Sequence, residues 1–183
     1  MDIALRRDPE FASHLLLGVL YEKLHRTLWP NNRAGIAVCF PNYQTRPPSL
    51  GTRMRLFGSH TALDALTNTE WLNGIRDHVK VGAWASVPTG AAHRSLRRVQ
   101  AQSNPERLRR RLMKRHGLDR KQAQERIPDS AAEMLELPFV QLRSRSTGQA
   151  FRLFLRLGGE ESLPALGKFN AFGLSQTATV PWF

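Results

Sequence analysis

One segment of this sequence cannot be buried in a protein core. Between Ser103 and Gly117 the chain reads SNPERLRRRLMKRHG, with six Lys/Arg and one acidic residue. At 100° per residue, five of these cations fall on one contiguous arc of a helix, namely Arg107, Arg110, Arg111, Lys114 and Arg115. The alternative is a solvated helix face, but such faces usually mix both signs of charge. The arc therefore favours a surface that binds phosphates.

The same segment carries start and stop signals for a helix. Ser103 and Glu106 have the spacing of a capping box. Alternatively, Asn104 caps the helix and Pro105 occupies its first turn. A glycine follows the last periodic residue, as is common at helix ends. We therefore expect a helix from about Pro105 to His116.

The positive charge is concentrated around this helix. Residues 94–126 contain 12 Lys/Arg and 3 Asp/Glu, whereas residues 127–183 contain five of each. Most of the net charge of +12 thus lies in about a sixth of the chain. Folding does not require such a charge, so it indicates a polyanionic partner: nucleic acid, an anionic membrane or an acidic protein.

The cysteine content and the apolar segments indicate in which cellular compartment the protein works. Cys39 is the only cysteine, which excludes an internal disulfide and a thiolate metal cluster. The N-terminus lacks the apolar core of a signal peptide, and the run Leu15–Leu20 is too short to cross a bilayer. We therefore expect a cytoplasmic protein without a membrane role.

Hydrophobic periodicity predicts an α+β chain. The first ninety residues read as strand, helix, strand, strand, helix and strand, the order of the ferredoxin-like fold. The predicted elements are 2–6, 10–28, 35–40, 53–57, 61–66 and 79–87, with a loop at 44–49. The helix at 10–28 has a leucine stripe on one face: Leu16, Leu17, Leu20, Leu24 and Leu28. We therefore expect a ferredoxin-like fold in residues 1–93, followed by the arginine-rich helix and further strands in residues 94–183.

The second half contains two further patterns. Alternation around Val99 predicts a short strand or an extended linker, in which Arg98 and Gln100 point the same way. Such a pair could read adjacent bases, since arginine suits guanine and glutamine suits adenine, or it could contact only phosphates. A weaker helical stretch runs from about 119 to 135 and is interrupted by Pro128. Residues 138–156 then alternate around a Ser-Thr-Gly turn, which predicts a hairpin.

If the polyanionic partner is RNA, few residues of this sequence could catalyse its cleavage. The sequence has no HExxH motif, no Cys/His cluster and no paired carboxylates, so we expect no metal or other cofactor. RNA can be cut without metal, because its 2′-OH can attack the adjacent phosphate when a base removes the proton. Histidine is the natural base near neutral pH. Of six histidines, His25 lies at the rim of the predicted core, on the same flank of the first helix as Tyr21. Hydroxyls near the hairpin turn could hold a ribose: Ser144, Ser146 and Thr147.

Taken together, several motifs resemble one family. The run Arg98–His116 matches best. Other matches are Asp8-Pro-Glu-Phe, Lys23-Leu-His, Phe40-Pro, Ile127-Pro-Asp, Leu137-Pro-Phe-Val, Leu142-Arg-Ser, Ser146-Thr-Gly-Gln, Phe151-Arg-Leu-Phe, Gly173-Leu-Ser and Val180-Pro-Trp-Phe183. These motifs span the chain, which resembles the CRISPR repeat-processing endoribonucleases of the type I-F (Csy) system.

The resemblance implies a ferredoxin-like domain at 1–93 and a smaller RNA-binding domain at 94–183 that contains the arginine-rich helix and a β-hairpin. It also implies a hairpin RNA substrate, cut at the 3′ base of its stem and retained afterwards, and other CRISPR-associated subunits as partners. His25 matches the general base of the family, and Ser144 matches the serine that positions the attacking ribose. Arg98 and Gln100 match the readers of bases at the foot of the stem, and Phe151 matches the aromatic that stacks on the terminal base pair. The helix containing Arg111 matches the one that lies in the RNA major groove.

The sequence departs from one family member at two positions. A tyrosine of the active site is replaced by Phe172, which keeps a ring for RNA contact but lacks the hydroxyl. An arginine of the helix is replaced by Lys114, which can hold a phosphate but cannot make a bidentate contact. Two other hypotheses stay open: a catalytically silent RNA-hairpin-binding subunit, and a DNA-binding protein.

Overall fold

The computed structural model describes residues 1–29, 35–100, 105–128, 135–144 and 147–183. Two compact units divide the chain. The first comprises Met1–Arg98 and Leu137–Phe183, and the second comprises Val99–Glu136. None of the helices in the described ranges combines the length and the apolar content of a membrane span.

The first sheet follows the predicted alternation of strands and helices. Its strands are β1 (Asp2–Leu5), β2 (Ala37–Cys39), β5 (Arg53–Phe57) and β6 (Val79–Val81), in the order β2-β5-β1-β6 with antiparallel neighbours. Helix α1 (Ser13–Leu28) joins β1 to β2, and α2 (His60–Thr67) lies between β5 and β6, with a 3-10 turn at Arg76–His78 before β6.

Two predictions in this half were wrong in detail. The segment 44–49, predicted as a loop, contains the two short strands β3 (Gln44–Thr45) and β4 (Pro48–Ser49). Prolines are uncommon in strands and tolerated mainly at edges, which concealed this pair. The last strand, predicted to reach residue 87, ends at Val81, because its partner β1 begins at Asp2 and offers no further residues for pairing.

The second sheet contains the predicted hairpin. Its strands are β7 (Ala92–Val99), β8 (Phe139–Arg143), β9 (Ala150–Glu161) and β10 (Val180–Trp182), in the order β10-β7-β9-β8. β8 and β9 pair antiparallel, with Leu142 opposite Phe151 and Arg143 opposite Ala150. The segment around Val99 is therefore a strand rather than a linker.

Helix α1 packs its apolar stripe into the core of the first unit. The predicted stripe is buried in full: Leu16, Leu17, Leu20, Leu24 and Leu28. α1 also packs against β8. A Cβ atom on Gly18 would lie 2.9 Å from the backbone oxygen of Gln141, so only glycine permits this approach. The helix and the strand therefore meet through their backbones.

The second unit contains the arginine-rich helix. Helix α3 spans Pro105–His116, as predicted, while the proposed caps at Ser103 and Asn104 lie outside the described residues. Of the weaker helical stretch, residues 129–134 lie outside the described residues, and its described part is helical only before Pro128. α4 spans Arg120–Arg126, and Asp119 and Gln122 form a capping box at its start.

One arginine of α3 has a structural role that the sequence did not predict. Arg109 is 7% exposed, and its Nε donates a hydrogen bond of 2.7 Å to the backbone oxygen of Ile127, just beyond α4. Its guanidinium also lies 3.7 Å from Glu106. This side chain therefore joins the two helices of the unit.

We expect Arg109→Ala to destabilise α3 and α4 by about 1–3 kcal/mol, the usual cost of leaving a buried polar group without its partner. Amide hydrogen exchange followed by mass spectrometry should show faster exchange in both helices. Arg110→Ala removes an exposed neighbour and should leave the exchange unchanged. Equal protection in the two variants would contradict a structural role for Arg109.

Candidate active site

Helix α1 and the β8–β9 hairpin line a cleft of about 550 Å³ in the first unit. From the α1 side the lining residues are Glu22, His25, Arg26 and Trp29. From the hairpin side they are Leu142, Arg143, Ser144 and Phe151. The structure thus brings together three residues that the sequence analysis singled out: His25, Ser144 and Phe151.

The hydrogen bonding of His25 determines the protonation of its ring. Nδ1 lies 2.9 Å from the backbone oxygen of Ala171. A carbonyl oxygen can only accept, so Nδ1 must carry the proton. In the neutral ring, Nε2 then holds a lone pair that can accept a proton. The half-buried imidazole is therefore held in the tautomer that a general base requires.

The ring of Phe172 fixes the plane of this imidazole. The two rings are stacked, with centroids 3.6 Å apart and planes 10° from parallel. The backbone oxygen of Phe172 accepts a hydrogen bond of 2.7 Å from the Tyr21 hydroxyl. Burial raises the pKa of Tyr21 far above its ordinary value, so the hydroxyl stays protonated and donates. The sequence analysis placed Tyr21 on the flank of His25 but did not predict this bond.

Asn170 organises the loop that contacts His25. Its Oδ1 accepts hydrogen bonds from the backbone N–H groups of Phe172, at 2.8 Å, and Leu174, at 3.3 Å. Its own backbone N–H donates to the oxygen of Leu174, at 2.9 Å. These bonds position both the Ala171 carbonyl and the Phe172 ring. Sequence analysis missed Asn170, because asparagine in a short polar loop is common.

We expect Asn170→Ala to lower the single-turnover cleavage rate by about 10- to 100-fold, because small displacements of a catalytic group are costly. Asn170→Asp keeps an oxygen that can accept both hydrogen bonds and should restore most of the rate. Hairpin affinity, measured in parallel, should change little in either variant. If both variants cleave at the wild-type rate, the loop does not position His25.

Ser144 lies immediately after β8, at the start of the hairpin turn. Its backbone N–H donates to the oxygen of Gln149, at 2.9 Å, and its backbone oxygen accepts from Gly148, at 2.8 Å. These bonds hold the half-buried serine in the wall of the cleft that faces α1. Of the other two predicted hydroxyls, Ser146 lies outside the described residues and Thr147 is exposed.

The predicted RNA contacts on β7 and β9 differ in exposure. Phe151 is half-buried and packs against the core. Arg98 is also half-buried, and within the described part of the chain its Nε has no hydrogen-bond partner. Its charge is near enough to Tyr21 to oppose, in part, the rise in the pKa of that residue. Gln100 is exposed, and a common direction for Arg98 and Gln100 stays a prediction.

The arc of α3 is available to solvent. All five of its cations are exposed: Arg107, Arg110, Arg111, Lys114 and Arg115. The apolar residues Leu108 and Leu112 are half-buried, as expected for the opposite side of the helix. Among the described residues, no three His, Cys, Asp or Glu side chains are grouped so that they could hold a metal ion.

Comparison with known proteins places these features in a family. A family model described as CRISPR-associated protein (Cas_Csy4) matches residues 1–183. The chain belongs to the Cas_Csy4 family. A Cas_Csy4 relative from Pseudomonas aeruginosa (strain UCBPP-PA14), named CRISPR-associated endonuclease Cas6/Csy4, is 49% identical over the whole chain and 98% of its own length.

A second Cas_Csy4 relative comes from Escherichia coli (strain UTI89 / UPEC) and has the same name. It is 40% identical over 100% of this chain and 98% of its own length. The full coverage in both cases confirms the family identified from the motifs. The roles of the individual site residues stay predictions.

Proposed function

We propose that this Cas_Csy4 protein, an endoribonuclease that processes CRISPR transcripts, cuts the 3′ base of the repeat stem-loop by attack of the 2′-hydroxyl on the adjacent phosphate. His25 removes the hydroxyl proton through Nε2. The oxygen then attacks in line, leaving a 2′,3′-cyclic phosphate and a 5′-hydroxyl. No step of this reaction requires a metal ion or another cofactor.

The observation that carries this proposal is the hydrogen bond from His25 Nδ1 to the Ala171 oxygen. It directs the basic nitrogen away from the loop, and His25 lines the same cleft as Ser144. In the proposed complex, Ser144 holds the ribose of the attacking nucleotide, so that its 2′-oxygen is near the imidazole. Precise placement of the reacting groups supplies much of the acceleration in such reactions.

Phe172 has a positional role in this proposal. It lacks the hydroxyl of the corresponding tyrosine in one family member, so it can neither donate a proton nor accept one. Its ring stacks on His25 and fixes the imidazole plane. Catalysis therefore depends on His25 and Ser144, and the leaving oxygen takes its proton from the imidazolium or from water.

In this proposal, the residues that recognise RNA are separate from the catalytic residues His25 and Ser144. The exposed arc of α3 neutralises phosphates in the major groove of the hairpin, with Arg107, Arg110, Arg111, Lys114 and Arg115. An A-form major groove is too narrow for a helix unless the stem is short, so a short stem is part of the proposal. At the foot of the stem, Arg98 and Gln100 read bases, and Phe151 stacks on the last pair. Ser146 is a further contact.

We also propose a domain organisation, a cellular location and partner subunits for the protein. The strand order β2-β5-β1-β6, with antiparallel neighbours and one helix in each crossover, supports a ferredoxin-like domain at 1–93. Residues 94–183 supply most of the RNA contacts. The protein stays bound to its product in the cytoplasm and joins other CRISPR-associated subunits of a type I-F complex.

A cleavage assay on a short RNA hairpin in excess chelator tests the mechanism. One substrate is all ribose, and the other has a single 2′-deoxy nucleotide before the cut. Cleavage that persists in chelator and stops with the deoxy substrate supports attack by the 2′-hydroxyl. Cleavage of the deoxy substrate, or a requirement for metal, overturns it. Tight binding without any cleavage favours a silent hairpin-binding subunit, with the missing hydroxyl at Phe172 as the first cause to test.

A further inference from the structure

Trp29 has no role in the function proposed above, although it lines the cleft. It follows the last residue of α1, one turn beyond His25, and its backbone N–H donates to the His25 oxygen. Its side chain is 61% exposed. An indole this exposed contributes little to the core. The indole beside the candidate base is therefore accessible to a ligand in the cleft.

The aromatic rings of the cleft differ in the surface they offer. His25 is stacked on Phe172, which covers one face of the imidazole. Phe151 is half-buried and packs against the core. The indole of Trp29 approaches His25 edge to face, with centroids 5.8 Å apart and planes at 74°. Since most of its surface is exposed, Trp29 can accept a second aromatic group by stacking.

The substrate supplies one such group near His25. In the proposed complex, Ser144 and Phe151 hold the nucleotide on the 5′ side of the scissile phosphate, and both belong to the hairpin wall of the cleft. The nucleotide on the 3′ side follows the base of the stem and is unpaired. Its base can leave the stack and lie on an aromatic side chain, which is how proteins commonly bind single-stranded RNA.

We propose that Trp29 is the stacking platform for the base immediately 3′ of the scissile phosphate. This inference rests on the proposed function, because it requires the phosphate to lie beside His25. Contacts on both sides of the phosphate would restrict rotation of the scissile linkage and favour in-line attack. Stacking on an aromatic side chain is tolerant of base identity. The site should therefore accept any of the four bases, with purines preferred.

The experiment compares two hairpins that carry the 2′-deoxy nucleotide and so cannot be cut. One ends at the phosphate of the cleavage position, and the other continues by one nucleotide. The measured quantity is the ratio of their dissociation constants. We expect the longer hairpin to bind wild type about 5- to 100-fold more tightly, as typical stacking energies imply. Trp29→Ala should bring the ratio close to one, and Trp29→Phe should keep most of it.

Leu15→Ala is the matched control. Leu15 is also exposed on α1, at 48%, but does not line the cleft, so the variant should keep the wild-type ratio. A 2-aminopurine base at the 3′ position supplies an independent signal. Its fluorescence should be quenched on binding to wild type but not to Trp29→Ala.

The outcomes separate this inference from the proposed function. A ratio of one in wild type, or an unchanged ratio in Trp29→Ala, overturns the platform while the ribose hairpin is still cut by the 2′-hydroxyl route. If wild type neither binds the deoxy hairpins nor cuts the ribose hairpin, the proposed function fails and the inference fails with it. An unchanged ratio would leave the exposed indole as a surface for another protein subunit.

Discussion

Replacing His25 with alanine is expected to lower the single-turnover rate of hairpin cleavage by about 10²- to 10⁴-fold, the range that general bases contribute. Hairpin affinity should stay within about twofold of wild type, because the phosphate contacts lie on other residues. The loss arises because Nε2, the nitrogen left unprotonated by the bond to Ala171, is no longer present. Cleavage of radiolabelled ribose hairpin by saturating protein measures the rate. A gel shift with the deoxy hairpin measures the affinity.

The matched control for this variant is His14→Ala. His14 is an exposed histidine of the same helix and does not line the cleft, so its removal should leave the rate unchanged. Undiminished cleavage by His25→Ala would remove His25 from the mechanism. Loss of binding and cleavage together would instead indicate a structural or RNA-binding role for this residue.

Neutralising the arc of α3 should have the largest effect on affinity. We assign about 1 kcal/mol to each cation that binds a phosphate, which is below the range for hydrogen bonds to charged groups. Loss of five such cations should therefore weaken RNA binding by roughly 10³-fold or more. The salt dependence of binding should also weaken, by about 0.7–0.9 in the log-log slope for each phosphate that is no longer neutralised. The variant replaces five residues with glutamine: Arg107, Arg110, Arg111, Lys114 and Arg115.

A control variant with the same net charge separates a local effect from a general one. It replaces with glutamine five exposed cations of the first unit that have no predicted RNA contact: Arg7, Arg46, Arg76, Lys80 and Lys168. We expect this variant to lose much less affinity and to keep most of the salt slope. Equal losses of affinity in the two variants would show that net charge, rather than the arc, governs binding.

The predictions from sequence succeeded where the determining contacts are local. The leucine stripe of α1, the bounds of α3 and the β8–β9 hairpin follow from periodicity, a helix-ending glycine and a turn, all within a few residues of the element. The length of β6 was overestimated, because it depends on where β1 begins, which the sequence of β6 does not contain. The helical angle of Arg109 places it outside the arc of α3. The sequence did not predict that its side chain would be buried against α4.

The same distinction applies to the candidate site. His25 and Ser144 are 119 positions apart in the sequence, and the resemblance to a family, rather than any local pattern, linked them. The hydrogen bonds from His25 to Ala171 and from Tyr21 to Phe172 join the helix to a loop near the other end of the chain. No single-sequence pattern encodes such pairings. The fold alone brings these residues together.

The close approach of α1 and β8 at Gly18 has a practical consequence for redesign. Because a Cβ on Gly18 would lie only 2.9 Å from the backbone oxygen of Gln141, the spacing of the two walls of the cleft is set at this point by backbone atoms rather than by a side chain that faces RNA. Residues that determine which RNA hairpin binds can therefore be randomised, in a search for variants with a new target sequence, without altering that spacing. Gly18 itself should be kept fixed in every such library.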